Sequence, residues 1–311
     1  MRIVFCGTPQ FAVPSLKYLL AQPEFEIACV YTQPDRPRGR GQEISFSPVK
    51  EAALAAGLDV RQPMKVRLPE VEEHLRGVAP DTVVIIAYGQ IIPARLLPIP
   101  RLGWINLHAS LLPKYRGAAP INWAIVNGET VTGNTIMRID AGMDTGEMLL
   151  QEELSIGAEE TAPELTARLA EAGALLMTET LRRLAKGDLV GREQNHAEAT
   201  LAPMLKREDG RIDWSRTAKE ISNRMRGFAP WPGAYTEFRG STCHLWGKPA
   251  GEEKPEIAPG TILAGKDGFR VVCGGESLLE VVSVKQEGRK MISAGEFLRG
   301  ARVGTGERFG S

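Results

Sequence analysis

An asparagine and a histidine stand two residues apart in the strand-like segment Ile105-Asn106-Leu107-His108. Side chains alternate along a strand, so Asn106 and His108 point to the same side. Apolar residues would suit such a face, and a buried polar group without a hydrogen bond costs several kcal/mol. A histidine alone there reads readily as a satisfied structural residue; Asn106 beside it brings a functional reading level with that one. A second element is the glycine-rich loop Asp140-Ala141-Gly142-Met143-Asp144-Thr145-Gly146. Either carboxylate suits a turn residue bonding its own backbone. Near the end of the Asn-x-His strand, one of them suits an orienting role instead. Together the residues match acyl transfer to an amine. An asparagine amide can donate to a developing oxyanion. Histidine moves protons near neutral pH, and a carboxylate can hold the imidazole and stabilise its charged form. No G-x-S-x-G nucleophile elbow occurs, which favours direct attack by the acceptor amine over a covalent acyl-enzyme.

These residues need a scaffold, and the first part of the chain alternates strand-like and helix-like runs. Ile3-Val4-Phe5-Cys6 reads as a strand buried on both faces, and 27–31 and Val83-Val84-Ile85-Ile86 read as a second and a third strand. Residues 105–108 and 135–139 read as further strands. Leu16, Leu19 and Leu20 share a helical face. Val49, Ala52, Ala53 and Ala56 mark a helix that Gly57 can end. Thr161-Ala162-Pro163-Glu164 is a capping box that opens a long helix to about residue 185. The βαβα order predicts an α/β, doubly wound, mostly parallel sheet of Rossmann-like type. Phe5-Cys6-Gly7-Thr8-Pro9 lacks the G-x-G-x-x-G fingerprint, so a nicotinamide cofactor is not expected. The pattern changes after Gly187. The expected organisation is a catalytic domain over 1–187, a linker over 188–207 and a second domain over 208–311. In that second domain Thr217 and Glu220 cap a helix. Short strands at 234–238, 242–246, 261–263, 269–273 and 278–284 predict a small C-terminal β-barrel of OB-like type. A last capping box, Ser293 to Glu296, opens a short helix.

Composition narrows the classes further. The 311 residues carry 38 Lys+Arg and 38 Asp+Glu, so no global field attracts a polyanion, and any such partner must meet a local patch. None of the four cysteines forms a C-x-x-C pair or stands near a histidine at metal-ligand spacing, so no metal is expected. No stretch approaches the ~18 apolar residues that span a membrane. The opening apolar run is too short for a signal peptide. A cytoplasmic protein without membrane partners is expected, and the lack of a long apolar seam suggests a monomer.

Asn106-x-His108, followed by Ser110-Leu111-Leu112-Pro113, Arg116-Gly117-Ala118-Ala119-Pro120 and Asp144-Thr145-Gly146, resembles the formyltetrahydrofolate-dependent formyltransferases. Phe5-Cys6-Gly7-Thr8-Pro9, Thr32-Gln33-Pro34-Asp35-Arg36-Pro37, Ser47-Pro48-Val49-Lys50, Ile212-Asp213-Trp214 and Pro230-Trp231-Pro232 extend the resemblance over essentially the whole chain. The resemblance implies Asn106, His108 and Asp144 as the catalytic trio. It implies 10-formyltetrahydrofolate as donor, held by Ser110, Leu111, Leu112 and Pro113, with Ile86, Ala87, Tyr88 and Gly89 around the pteridine. It implies the methionine amino group of initiator tRNA as acceptor. It also gives a role to Arg36, Arg38 and Arg40, which would enter the acceptor stem, because arginine pairs with phosphates and stacks on unpaired bases. This chain has Gln42, Glu43 and Met204 where lysines are frequent, Asn134 where valine is usual, and Ala229 where asparagine often precedes Pro-Trp-Pro.

Overall fold

The computed structural model describes residues 1–38, 43–251 and 256–310. Contacts divide the chain into two compact units. The first comprises Met1–Pro120, Val131–Ser155 and Leu165–Pro203; the second comprises Ile121–Thr130, Ile156–Glu164 and Met204–Ser311.

The first unit is built on seven strands: β1 (Arg2–Gly7), β2 (Glu26–Tyr31), β3 (Val60–Arg61), β4 (Thr82–Ile86), β5 (Trp104–His108), β6 (Val131–Arg138) and β7 (Met148–Ser155). Their order in the sheet is β7-β6-β5-β4-β1-β2-β3. Strands β1 to β5 pair in parallel, and β6 and β7 are antiparallel additions at one side. Ile3, Val4 and Phe5 are fully buried, as a strand covered on both faces requires. From β1 the chain runs outward through β2 to β3, then returns to the other side of β1 with β4. The strand order therefore reverses beside β1, the place where open sheets of this kind leave a crevice at their carboxyl ends. Register aligns those ends: Gly7 lies opposite Ile86, and Ile85 opposite Asn106.

The helices are α1 (Val13–Leu20), α2 (Pro48–Ala55), α3 (Pro69–Val78), α4 (Pro120–Val126) and α5 (Ala162–Lys186). In α1, Leu16 and Leu19 are fully buried, but Leu20, expected on the same face, is 36% exposed. Ser47 caps α2 by accepting from the Lys50 amide, and Gly57 follows with φ +68°. At α5 the amide and hydroxyl of Thr161 both donate to the Glu164 carboxylate. Strand β7 is an element the sequence does not announce: its Gln-Glu-Glu run has no clean alternation, and pairing with β6 makes it a strand. Helices α3 and α4 are likewise additional to the expected elements. Residues 188–203, expected as linker, hydrogen-bond into the first unit. Arg192 and Met148 exchange both backbone bonds at 2.8 Å, and Leu201–Ala202 pairs with Arg116–Gly117.

The second unit holds six antiparallel strands: β8 (Tyr235–Phe238), β9 (Ser241–Ala250), β10 (Ile262–Ala264), β11 (Phe269–Cys273), β12 (Ser277–Gln286) and β13 (Ile292–Ser293). The order is β8-β9-β12-β11-β10, with β13 on β12. Residues 306–310 tie the two edge strands together. On one side the Ile262 amide donates to the Glu307 carbonyl at 2.7 Å, and the Phe309 amide to Gly260 at 2.9 Å. On the other the Gly310 amide donates to the Glu237 carbonyl at 2.8 Å. This segment bridges the two edge strands and closes the sheet as a barrel. Phe309 fills the barrel, stacking on Trp214 at 5.7 Å and meeting Phe238 at 5.4 Å and Phe269 at 6.0 Å. Helices α6 (Ala218–Gly227) and α7 (Ala294–Ala301) open with the two expected capping boxes, Thr217/Glu220 and Ser293/Glu296.

Candidate active site

Strand β5 carries Asn106 and His108 on one face and ends at the carboxyl edge of the sheet. His108 is buried, while Asn106 is half-buried and its side-chain amide bonds to no other described residue. The His108 Nε2 lies 2.8 Å from the Tyr115 carbonyl. A carbonyl only accepts, so Nε2 carries a hydrogen, and Nδ1 is the position that gains or loses the second proton. Nδ1 faces the Asp144 Oδ2 at 3.7 Å. That separation suits an ion pair and is too long for a direct hydrogen bond.

The loop after β6 settles which aspartate is available. Asp140 Oδ1 accepts from the Gly142 amide at 2.9 Å and the Thr145 hydroxyl at 2.7 Å, so it is the turn-forming residue. Asp144 has φ +54°, a left-handed conformation that aspartate tolerates better than most residues. Its Oδ2 accepts from the Gly117 amide at 2.9 Å. Gly117 itself has φ +117°, and a Cβ there would lie 2.8 Å from the Ala202 carbonyl oxygen. Only glycine fits this conformation beside the Ala202 carbonyl, and from there its amide reaches the Asp144 carboxylate.

A buried network lies behind the loop. Gln194 Nε2 donates to the Asp144 carbonyl at 2.9 Å and to the Gly146 carbonyl at 2.8 Å. Its Oε1 accepts from Arg116 Nε at 3.1 Å and Nη2 at 2.6 Å. Arg116 Nη2 also reaches His196 Nδ1 at 3.0 Å. Sequence reasoning misses Gln194, which stands in an aperiodic segment far from its partners along the chain.

Ser110, Leu111, Leu112 and Pro113 form the turn after β5. The Ser110 hydroxyl is committed to the Lys114 carbonyl at 2.6 Å. Thr135, opposite His108 on β6, donates to the Ser110 carbonyl at 2.6 Å and accepts from the Leu112 amide at 3.1 Å. Gln151 Nε2 holds the Leu112 carbonyl at 2.9 Å. Leu112 is buried, which leaves Leu111 and Pro113 as the half-buried members. On the neighbouring strand end, Ile86 is buried and Ala87 and Gly89 are exposed at φ +47° and +84°. The Tyr88 ring is in the core, and its carbonyl takes bonds from Thr8 Oγ at 3.0 Å and Gln33 Nε2 at 3.1 Å. Burial pushes the Tyr88 phenol far above its ordinary pKa. The side chain therefore serves packing, and the segment presents only backbone and small residues to the edge.

Arg36 and Arg38 lie in Arg36–Arg38, a strand paired with Glu43–Ser45, and Arg36 is exposed. Arg40 lies outside the described residues. The base of this excursion is pinned where the Thr32 and Ser47 hydroxyls meet at 2.7 Å, both buried. Lys50 pairs with Asp35 beside it and holds that carboxyl below the usual range. Among the described residues no cluster of three His, Cys, Asp or Glu side chains could hold a metal ion, and no helix is long and apolar enough to cross a membrane.

Residues 1–181 match the family model described as formyl transferase, and residues 204–302 match the one described as formyl transferase, C-terminal domain. A methionyl-tRNA formyltransferase of Solibacter usitatus is 54% identical over 310 residues, covering 100% of this chain and 99% of that protein. One from Koribacter versatilis is 50% identical over 311 residues, with 100% and 99% covered. Among solved structures, the sugar 3N-formyl transferase WlaRD, determined with dTDP and 5-N-formyl-THF, superposes with a TM-score of 0.67. It is 19% identical, with 93% of this chain and 99% of that one covered. HypX from Aquifex aeolicus in complex with tetrahydrofolic acid gives a TM-score of 0.62 at 19% identity, covering 96% of this chain and 48% of that one.

Proposed function

The chain belongs to the formyl transferase family, and from that premise we propose that Asn106, His108 and Asp144 carry its reaction. The protein is a transferase that moves a formyl group onto the α-amino group of methionine esterified to initiator tRNA, for translation initiation. The donor is 10-formyltetrahydrofolate. The observation that carries this reading is the His108–Asp144 contact at 3.7 Å, with His108 on the same strand face as a half-buried Asn106 whose amide has no partner among the described residues.

The exposed turn at Ala87 and Gly89 and the half-buried Leu111 and Pro113 fit a flat heterocycle at the carboxyl edge of the sheet. The bound folate supplies the formyl carbon and the N10 leaving group. The methionine amine attacks that carbon, and the carbonyl oxygen becomes an oxyanion. Asn106 donates its amide N–H to this oxygen, and His108, protonated on Nδ1, stabilises the charge. Asp144 holds the imidazolium and takes up the amine proton through a water. The C–N10 bond then breaks as N10 receives a proton. His108 keeps Nε2 on the Tyr115 carbonyl throughout, so its ring orientation does not change. Arg36, Arg38 and Arg40 meet the acceptor stem. The enzyme works as a monomer in the cytoplasm.

The test is formyl transfer from 10-formyltetrahydrofolate to methionine-charged initiator tRNA, with uncharged tRNA and free methionine as controls. Formylation of the charged tRNA alone is expected, weakening steeply as salt rises. Folate turnover without formylated tRNA would move the acceptor to water or a small amine.

A further inference from the structure

We propose that Gln194 is a positioning residue for Asp144; this rests on the role given to Asp144 above. Asp144 is held at two points. Its carboxylate accepts from the Gly117 amide, and its carbonyl accepts from the Gln194 side chain. The two holders are themselves joined: Gly117 follows Arg116 in the chain, and Arg116 makes two bonds to Gln194. Asp144, Gln194, Arg116 and Gly117 thus form a closed ring of contacts. Such a ring fixes both ends of one residue whose backbone sits in the left-handed region, where the surroundings must determine the conformation.

The chemistry of the partners sets the amide's orientation. Arg116 has donors only, so it must face the Gln194 oxygen; the Asp144 and Gly146 carbonyls accept only, so they must face the nitrogen. Gln194 is 5% exposed and makes four hydrogen bonds through one side chain. Glutamate has the same shape but no donor. It would keep Arg116 while turning an oxygen onto two carbonyls. Glutamine at 194 is therefore required to hold the loop, and it acts on Asp144 through that residue's backbone.

The test is a double-mutant cycle of Gln194→Glu and Asp144→Ala, read by single-turnover formyl transfer to charged initiator tRNA and by thermal denaturation. Gln194→Glu is expected to lose about 10²-fold in kcat, the scale of a 1 Å misplacement, with KM for the folate within about twofold and a lowered melting temperature that still shows one cooperative transition. In the Asp144→Ala background it is expected to lose nothing further, because it acts through Asp144. Arg116→Lys, which keeps the charge but loses the fork, is expected to show a smaller loss with the same non-additivity. Wild-type kcat in Gln194→Glu, or losses that multiply in the double variant, overturn the proposal. Full activity of Asp144→Ala alone overturns the catalytic assignment itself, a different failure.

Discussion

In the first unit His108, Ser110, Arg116, Thr135 and Gln194 are all 7% exposed or less, and all gather at the carboxyl edge of one sheet. In the second unit the same depth is filled by Trp214, Phe238, Phe269, Phe297 and Phe309, packed ring against ring. Buried hydrogen-bonded groups add little net stability, since water served them in the unfolded chain, but they tolerate only one arrangement. Aromatic packing adds stability and tolerates many neighbours. The carboxyl edge of the first unit thus serves geometry, above an apolar core of its own, and the aromatic interior of the second serves cohesion.

The largest test of that contrast is Phe309→Ala. It removes the ring that fills the closed barrel and should cost about 3–5 kcal/mol. The denaturant midpoint followed by tryptophan fluorescence should fall accordingly. An unmoved midpoint would mean that the aromatic cluster is not what holds the barrel. The mirror-image test is Asn106→Ala or His108→Ala, each expected to lose about 10²–10³-fold in turnover, with the unfolding midpoint almost unchanged. Near-normal turnover in either would refute the assignment, and a collapsed midpoint would break the contrast. A smaller effect comes from acid. The Thr217 and Ser293 hydroxyls, with their amides, hold the Glu220 and Glu296 carboxyls below their usual range. A depressed folded value means stability that is present above the unfolded pKa of about 4.3 and is lost as pH falls through the folded one. Melting temperature should drop across that acid window, and Glu220→Gln with Glu296→Gln should flatten the drop. The smallest effect sharpens the comparison from inside the first unit. Asn134 is fully buried, donates to the Leu169 carbonyl at 2.9 Å, and leaves its own oxygen without a partner among the described residues. It faces helix α5, away from the site. Asn134→Val should raise stability by about 1 kcal/mol and leave turnover alone. A loss of either would show that this amide, too, serves the geometry.

Local rules make much of this legible. The alternation at 105–108 is enough to place Asn106 and His108 on one face, because strand periodicity needs no distant partner. The capping signatures at Thr217 and Ser293 open helices where expected, and the short strands of the second unit fall close to their expected positions. Local rules alone do not choose Asp144 over Asp140, because both sit in one loop and only their partners distinguish them; the family resemblance is what names Asp144. Gln194 and Gln151 are invisible to local rules for a related reason: each works through residues 16 to 78 positions away, and no periodic pattern records such a distance. Strand β7 lacks a signature of its own and depends on β6 for its form.

The buried hydroxyl pair of Thr32 and Ser47 closes the chain excursion over residues 33–46 at its base. Ser47 also caps α2, so the closure belongs to the scaffold and not to the excursion it bounds. Lengthening a closed loop is a small perturbation: each doubling adds only about 0.6 kcal/mol of closure entropy. A change in the length of this excursion would therefore leave the Thr32–Ser47 closure and the cap of α2 in place.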